Sequence, residues 1–179
     1  DIAAPQKGDA WPRAGIAATI DVQGKALHVF GFHFKAMGDS ASEASRRAQA
    51  LAVYNALNDK YGSSISKHAI VLAGDFNTTN PDEFEKKSST LGILSFRNDT
   101  DPNNDFLDAN YRYCPDTPTF EDSRYKSVLD HVLVSPTLAR TIHKDDVLVI
   151  SSPKVEAPNV KGSIPASDHR MVAVDIALQ

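Results

Sequence analysis

Two neighbouring runs near the start of the chain alternate between apolar and polar positions. Residues 15–21 and 25–34 carry the period-two pattern of β-strands, and the Gly-containing segment 22–24 between them predicts a hairpin. A continuous apolar run at residues 68–74 is typical of a strand that is buried on both faces. The pattern therefore predicts three strands in the first part of the chain.

A helix is predicted between the second and third of these strands. Residues 42–61 place apolar side chains near helical spacing. We expect this helix to be capped at Ser40 or Ser42 and to end at Gly62. The order strand, helix, strand indicates an α/β (α+β) layered architecture.

The rest of the chain predicts three more strands and two long loops. Residues 127–135 alternate strongly, and residues 147–150 and 171–178 are apolar enough to form strands. Residues 98–126 are polar and rich in Asp and Asn, so they are interpreted mainly as loop. The Pro-containing segment 151–167 is interpreted as a surface loop that leads into the final strand.

Composition places the chain among ordinary globular proteins. Of 179 residues, 41% are hydrophobic, and 19 basic against 23 acidic side chains give a formal charge of −4. This profile excludes a disordered or collagenous chain. We expect residues 1–179 to form a single unit without a transmembrane segment, because no run of about 18 apolar residues is present. The acidic balance argues against a passive nucleic-acid binder but leaves open an enzyme that grips phosphate locally.

The cysteine count and the first residues say little about the compartment. The single Cys114 permits no intrachain disulfide and no cysteine-based zinc site. The first residues have neither the basic nor the apolar region of a signal peptide and no Met, so we expect processing or truncation upstream. The compartment is left open, with a secreted or periplasmic location slightly favoured.

Chemistry-bearing residues stand at the ends of four predicted strand regions. The segments are Phe32–Lys35, Gly74–Asn77, Leu129–His131 and Ser167–His169, which read FHFK, GDFN, LDH and SDH. A strand is a stiff base, and at its end a side chain can leave the core and meet a ligand. Imidazoles, carboxylates and an amide together suit a divalent cation and general acid–base chemistry on a phosphate ester.

These four motifs, in this order, resemble the endonuclease/exonuclease/phosphatase superfamily, which has the DNase I-like fold. The segment Arg46–Leu51 also looks like a helix of its bacterial extracellular members. The resemblance implies half of a four-layered α/β/β/α sandwich, with the chain supplying the carboxyl-terminal half of the domain. It also implies a divalent-metal-dependent phosphodiester hydrolase, with Mg²⁺ or Mn²⁺ as cofactor and a nuclease activity on DNA or RNA favoured.

The resemblance implies catalytic roles for five residues. His169 would handle the attacking water, and Asp130 would accept its other N–H and fix its tautomer. Asp75 and Asn77 would position the water and the scissile phosphate. His33 would hydrogen-bond a phosphate oxygen and stabilise developing charge.

The same resemblance implies a metal site and a phosphate site. Asp168 would contribute to the metal site together with Asp75 and Asn77. Arg13 would lie near the substrate phosphate, which His33 and Asn77 would also contact.

The family's amino-terminal half, which supplies a metal-binding Glu, has no counterpart in the chain. We expect this half to come from a cleaved or separately encoded polypeptide, with the active site in the interface. The alternative is an inactive phosphate-binding remnant.

Other functions stay open on the sequence. Phosphatases or phospholipases of the same superfamily act on inositol phosphates or sphingomyelin, and loops rather than the catalytic core set that choice. Basic residues in and near the loops, Arg46 and Lys126 among them, are numerous enough to contact a nucleic-acid backbone, although they form no obvious stripe. No aromatic wedge of the kind that a membrane-lipid hydrolase would use is found, so a nuclease is favoured. Gly38–Ser40 reads GDS, the remote alternative of a GDSL-type serine esterase, but no His follows an Asp at the spacing that this family needs.

Three further features have simpler interpretations. The run Asp99–Asp105 could bind Ca²⁺, but it lacks the Gly and Glu of an EF-hand loop, so a solvated acidic loop is favoured. His131 is expected to face the side of its strand opposite to Asp130. His28, His68 and His143 are interpreted as structural.

Overall fold

The structure, a computed structural model, describes residues 15–78, 83, 86–151, 154–156, 163–165 and 167–178. The strands are β1 (Ile16–Val22), β2 (Lys25–His33), β3 (Ala69–Asp75), β4 (Leu107–Asp108), β5 (Phe120–Glu121), β6 (Lys126–Ser127), β7 (Asp130–Val134), β8 (Val147–Ile150), β9 (Lys154–Glu156), β10 (Ser163–Pro165) and β11 (Met171–Val174). The α-helices are α1 (Ser40–Tyr61), α2 (Thr90–Leu94), α3 (Ala109–Tyr113) and α4 (Pro136–Ala139), and 3₁₀ turns occupy Gly62–Lys67 and Lys144–Asp146. Among these helices none is long and apolar enough to cross a membrane.

A five-stranded sheet forms the centre of the fold, in the order β1-β2-β3-β7-β4. β2 and β3 are parallel, which requires the long crossover that α1 provides. The other neighbours are antiparallel. In this register His33 pairs with Asp75, and Asp75 pairs with Asp130, so three of the predicted site residues form one row across the sheet.

The two faces of the sheet carry different cores. One face packs against α1 and α2 through an aromatic cluster that includes Phe30, Phe32, Phe34 and Phe76. The other face is covered by α3, α4 and the antiparallel ribbon of β8 and β11, whose Val147 packs into the second cluster. The molecule is therefore layered as helix, sheet and a second, narrower β layer, which confirms the mixed α and β fold class.

The described residues leave part of the second face uncovered. β1 is exposed along its whole length, and its Ile16 and Ile20 lie 74% and 46% exposed. Their partners in the register are Gly31 and Leu27, so they extend the face that the ribbon covers elsewhere. The outer side of the ribbon is also exposed, at Leu148, Ile150 and Met171.

The first predicted elements are confirmed, with one wrong cap. The hairpin turns at Gln23 and Gly24, both at positive φ, as tight hairpins require. Helix α1 ends at Gly62, as expected. Its N-cap is Asp39, not Ser40 or Ser42, because the Asp39 carboxylate accepts the backbone N–H of Ser42 at 2.9 Å.

The second half of the chain holds more regular structure than the pattern predicts. Residues 98–126 contain α3, β4 and β5, and residues 151–167 contain the ribbon of β9 and β10. β7 begins only at Asp130, and β11 ends at Val174, where its pairing with β8 stops. These pieces have two to five residues and owe their conformation to distant partners, so their local sequence carries little periodicity.

Candidate active site

The ends of three strands and one loop bring four predicted residues together. His33, Asp75 and Asp130 share a row of the sheet, at the end of β2, the end of β3 and the start of β7. His169 reaches them from the segment before β11, where it forms a β-bridge with Phe120. All four side chains are half-buried.

The geometry of the turn after β3 accounts for the residue types of the GDFN motif. Gly74 has φ 143°, and a Cβ there would lie 1.9 Å from the carbonyl oxygen of Phe32. Phe76 is buried among the aromatic side chains of the core between the sheet and helices α1 and α2, called the helix-side core below. Asn77 adopts φ 52°, a left-handed conformation that Asn tolerates better than most residues. Gly74, Phe76 and Asn77 of this motif therefore determine the backbone conformation of the turn.

Asp75 divides its two carboxylate oxygens between this turn and the site. Oδ1 accepts the backbone N–H of Asn77 at 2.8 Å. Oδ2 lies 3.3 Å from Nε2 of His33 and 4.0 Å from Nε2 of His169. Burial raises the pKa of Asp75 and the Asp130 charge adds to this, while the Asn77 N–H and the two imidazoles oppose it.

Asp130 and His169 form an oriented pair. Nδ1 of His169 lies 2.7 Å from Oδ2 of Asp130. A proton on Nδ1 is thereby directed at the carboxylate, which leaves Nε2 facing Asp75 and the open side of the site. Partial burial opposes a charge on His169, but the hydrogen bond and charge of Asp130, with Asp75 and Asp168, raise its pKa overall.

The donor set fits a divalent cation. Asp75, Asp130 and His169 each offer a ligand atom, and these atoms lie within 4.8 Å of one another. Two carboxylates supply the hard oxygen ligands that Mg²⁺ and Mn²⁺ prefer.

The other predicted metal and phosphate residues lie differently. Asp168 is exposed and is not a member of this cluster, although it lies next to His169 in the chain. The Asn77 side chain is buried and its Nδ2 donates to the carbonyl of Phe34 at 3.2 Å. Arg13 lies outside the described residues.

Sequence reasoning missed the residues that hold this row in place. Thr119 is buried, and its Oγ1 accepts the backbone N–H groups of Leu129 and Asp130, each at 2.9 Å. Its carbonyl accepts the N–H of Arg170, next to His169. One residue thus ties the strand of Asp130 to the segment of His169. Its partners are distant in sequence, so no local pattern points to it.

Two polar residues of α1 hold the chain that follows His33. Arg46 is buried and donates to the carbonyls of Lys35 and Met37. Gln49 accepts the N–H of Lys35 at 3.0 Å. The expectation that Arg46 contacts a phosphate backbone is therefore wrong, because its guanidinium holds the protein's own carbonyls.

The GDS segment serves the start of α1. Asp39 accepts both the N–H and the hydroxyl of Ser42, at 2.9 and 2.7 Å. Ser40 is the first residue of the helix and is exposed. Helix capping thus accounts for this segment without a nucleophilic serine.

His131 faces the opposite side of β7, as expected. Its ring stacks on Phe76, and its Nδ1 lies 2.6 Å from Oδ2 of Asp108. Burial opposes a charge on this imidazole, but the Asp108 carboxylate raises its pKa overall. Strand β7 therefore contributes to a close His–Asp pair on each of its two faces.

Comparison with known proteins agrees with this fold. The model of the Endonuclease/Exonuclease/phosphatase family matches residues 7–169, so the chain belongs to that family. Comparison with curated proteins finds no match.

Solved structures show the same fold at low identity. A mannosyl-6-phosphatase of Bacteroides thetaiotaomicron VPI-5482 has 18% identity and a TM-score of 0.56, over 87% of this chain and 53% of that one. An AP endonuclease from Archaeoglobus fulgidus has 16% identity and a TM-score of 0.56, over 90% and 65%. The human Nocturnin catalytic domain has 18% identity and a TM-score of 0.54, over 91% and 52%. The match thus spans about half to two thirds of each of these structures, and the DNase I-like fold is confirmed.

Proposed function

We propose that the chain carries the catalytic centre of a divalent-metal-dependent phosphodiester hydrolase that acts on nucleic acid. The observation that supports this most strongly is the pair of His169 and Asp130 at 2.7 Å, with Nε2 of His169 turned toward Asp75. Family membership supports the same class of chemistry.

In this proposal, His169 acts as the general base. With Nδ1–H held by Asp130, Nε2 presents its lone pair to a water molecule and takes a proton as the water oxygen bonds to phosphorus and the bond to the leaving oxygen breaks. Asp130 stabilises the resulting imidazolium, whose proton returns through solvent to the leaving oxygen. His33, exposed by 42% and held by Asp75, would donate to a phosphate oxygen as charge develops.

Asp75 would hold the divalent cation together with Asp130, the other carboxylate of the cluster, which leaves Nε2 of His169 free for the water. Asn77 and Asp168, which lie outside this cluster, are not needed as direct ligands. A bound Mg²⁺ or Mn²⁺ would neutralise phosphate charge and favour the leaving oxygen. Mg²⁺ keeps several waters, so few protein ligands are enough to bind it.

Exposed cations on the hairpin of β5 and β6 favour a polyanionic substrate. Arg124 and Lys126 are 87% and 63% exposed and pair with the acidic neighbours Asp122 and Glu121, and Phe120 of the same hairpin contacts His169. Side chains of this kind bind phosphates that neighbour the scissile one. Phosphatase or phospholipase action on a small phosphoester or on sphingomyelin is the second candidate, supported by the fold shared with the mannosyl-6-phosphatase.

We further propose that a second polypeptide covers the open part of the second sheet face and completes the site. Exposed apolar side chains of β1 and of the ribbon, Ile16, Ile20, Leu148, Ile150 and Met171 among them, border the layer that carries Asp75 and Asp130. The match accounts for only 53% of the phosphatase structure, so a segment of comparable size is available in such proteins to cover this face. Covering apolar surface stabilises by about 25 cal/mol per Å².

The substrate is tested by one panel of reactions. The purified protein, with any polypeptide that copurifies with it, is given supercoiled plasmid, single-stranded RNA, a sugar phosphate and sphingomyelin in Mg²⁺ or Mn²⁺. We expect nicking of plasmid that EDTA abolishes. Release of inorganic phosphate from the sugar phosphate without nicking would favour the phosphatase, and inertness toward all four would indicate a remnant that only binds phosphate.

A further inference from the structure

A buried ionisable pair on the helix side of β7 has no part in the reaction proposed above. His131 and Asp108 have side chains exposed by only 2% and 0%, and their contact measures 2.6 Å. Burying ionisable groups costs free energy unless each has a partner. The contacts of this pair therefore indicate what it does in the fold. Asp108 also caps α3 through the N–H of Tyr111, which fixes the carboxylate in place.

The far side of the His131 ring holds the turn that carries the active-site motif. Nε2 lies 2.7 Å from the hydroxyl oxygen of Thr78, the residue that follows Asn77. The same hydroxyl oxygen lies 3.4 Å from the carbonyl oxygen of Val128, which faces it from the start of the segment 128–131. Asp108, His131 and Thr78 thus form a chain of hydrogen bonds from the helix side of the sheet to the end of the GDFN turn.

This turn needs such an anchor. Gly74 and Asn77 both lie at positive φ, and the Asn77 N–H is held by Asp75 itself. An unusual backbone conformation persists only where its surroundings determine it. Phe76 N–H to the Leu129 carbonyl and Thr78 to His131 are two links between this turn and the segment 128–131.

We propose that His131 is a positioning residue, which acts through Thr78 to hold the turn that sets Asp75 and Asn77 for catalysis. This inference rests on the proposed function for its effect on rate, but its geometry can be tested without any turnover. In the sequence, the feature that points to this role is a His directly after Asp130, which places it on the other face of the strand.

The decisive variant is Thr78→Val, with Thr78→Ser as the rescue. Thr78→Val removes the hydroxyl but keeps the size, whereas His131→Phe would leave Asp108 buried alone and could unfold the chain. Ser135→Ala is the matched control, because it also removes one buried hydroxyl from the contact of β3 and β7, at the opposite end, where Ser135 accepts from Ile70 N–H.

The measurement is amide hydrogen exchange of Asn77 relative to the other amides of β3. In Thr78→Val we expect the Asn77 amide to exchange about tenfold faster or more, with the interior of β3 changed much less. Thr78→Ser should exchange like the wild type, and Ser135→Ala should leave Asn77 unchanged relative to β3. Parallel acceleration of Asn77 and all of β3 in Thr78→Val would reduce the link to ordinary stability and overturn the proposal.

Measurements of kcat and KM test whether this geometry affects the reaction. Thr78→Val should lower kcat of metal-dependent nicking about tenfold or more with KM unchanged, and Thr78→Ser should restore it. Full kcat in a Thr78→Val protein with a loosened Asn77 amide would overturn the catalytic part. A wild-type protein without hydrolytic activity would overturn the proposed function instead, and the exchange data would still decide the positioning.

Discussion

Asp75 shows how a single side chain can shape the backbone and also face the candidate site. One oxygen closes the turn on the Asn77 N–H, and the other faces the two imidazoles of His33 and His169. A residue that forms the turn can therefore also belong to the candidate site. The same hydrogen bond that shapes the loop aims the second oxygen at the site.

The pH dependence of activity tests the role of Asp130 at this scale. Its charge raises the pKa of His169, so the protonated imidazole persists to higher pH and the base form appears only above the ordinary value of about 6.5. The acidic limb of kcat/KM should therefore lie above that value in the wild type. Asp130→Asn should move the limb to lower pH and reduce kcat by about 100-fold or more. An unchanged limb in Asp130→Asn would show that His169 is not the titrating base.

The turn after β3 is the element that links fold to site. It joins the buried aromatic core at Phe76 to the candidate site at Asp75, and its shape depends on the close approach of Gly74 to the backbone of Phe32. This turn can be recognised in the sequence because its residues 74–77 are consecutive and follow an apolar run.

Gly74→Ala tests the turn as an element. Its Cβ would collide with a backbone carbonyl and sit at a φ that alanine avoids, so we expect a loss of at least about 2 kcal/mol in the free energy of unfolding. The matched control is Gly31→Ala on the neighbouring strand, where a Cβ would meet only Ile16 at 4.0 Å. Urea unfolding of both variants measures the difference. Equal stability of the two variants would refute the constraint at Gly74.

Four residues that the sequence singles out come together in the fold, because three of them end or begin an apolar run and the fourth belongs to a motif of the same family resemblance. His33, Asp75 and Asp130 are polar positions at strand ends, and the order of their motifs points to His169. Strand ends can be predicted from alternation, and parallel or antiparallel pairing then brings them together.

The supporting residues were beyond that reasoning. Thr119 holds Asp130 through backbone groups, and Asp108 lies far in sequence from both His131 and Thr78. Hydrogen bonds across the fold leave no periodic trace in the chain. Helices α2 and α3 have five residues each, too few for a helical period to stand out.

At the scale of the whole molecule, the uneven covering of the sheet is the main feature. One side is closed by α1 and α2, whereas the described residues cover the other side only where α3, α4 and the ribbon of β8 and β11 lie. The row of site residues belongs to this partly open face. A polypeptide that covers the rest of the face would therefore border the reaction site.

The open face predicts self-association of the isolated chain. Ile20→Lys combined with Leu148→Lys should shift the chain toward the monomer, because charges replace exposed apolar side chains on β1 and the ribbon. Leu51→Lys is the control, since Leu51 is 45% exposed on α1, away from this face. Light scattering after size exclusion measures the effect. A shift of the same size in Leu51→Lys would contradict a specific role for the open face.

The central claim is that His169, oriented by Asp130, drives metal-dependent hydrolysis. The most direct test is plasmid nicking in Mg²⁺ by His169→Ala beside the wild type, with His143→Ala, an exposed imidazole outside the cluster, as control. We expect His169→Ala to lose about 100-fold or more of the rate with an unchanged melting temperature, and His143→Ala to nick like the wild type. Nicking by His169→Ala at the wild-type rate, or nicking that EDTA leaves intact, would contradict the account.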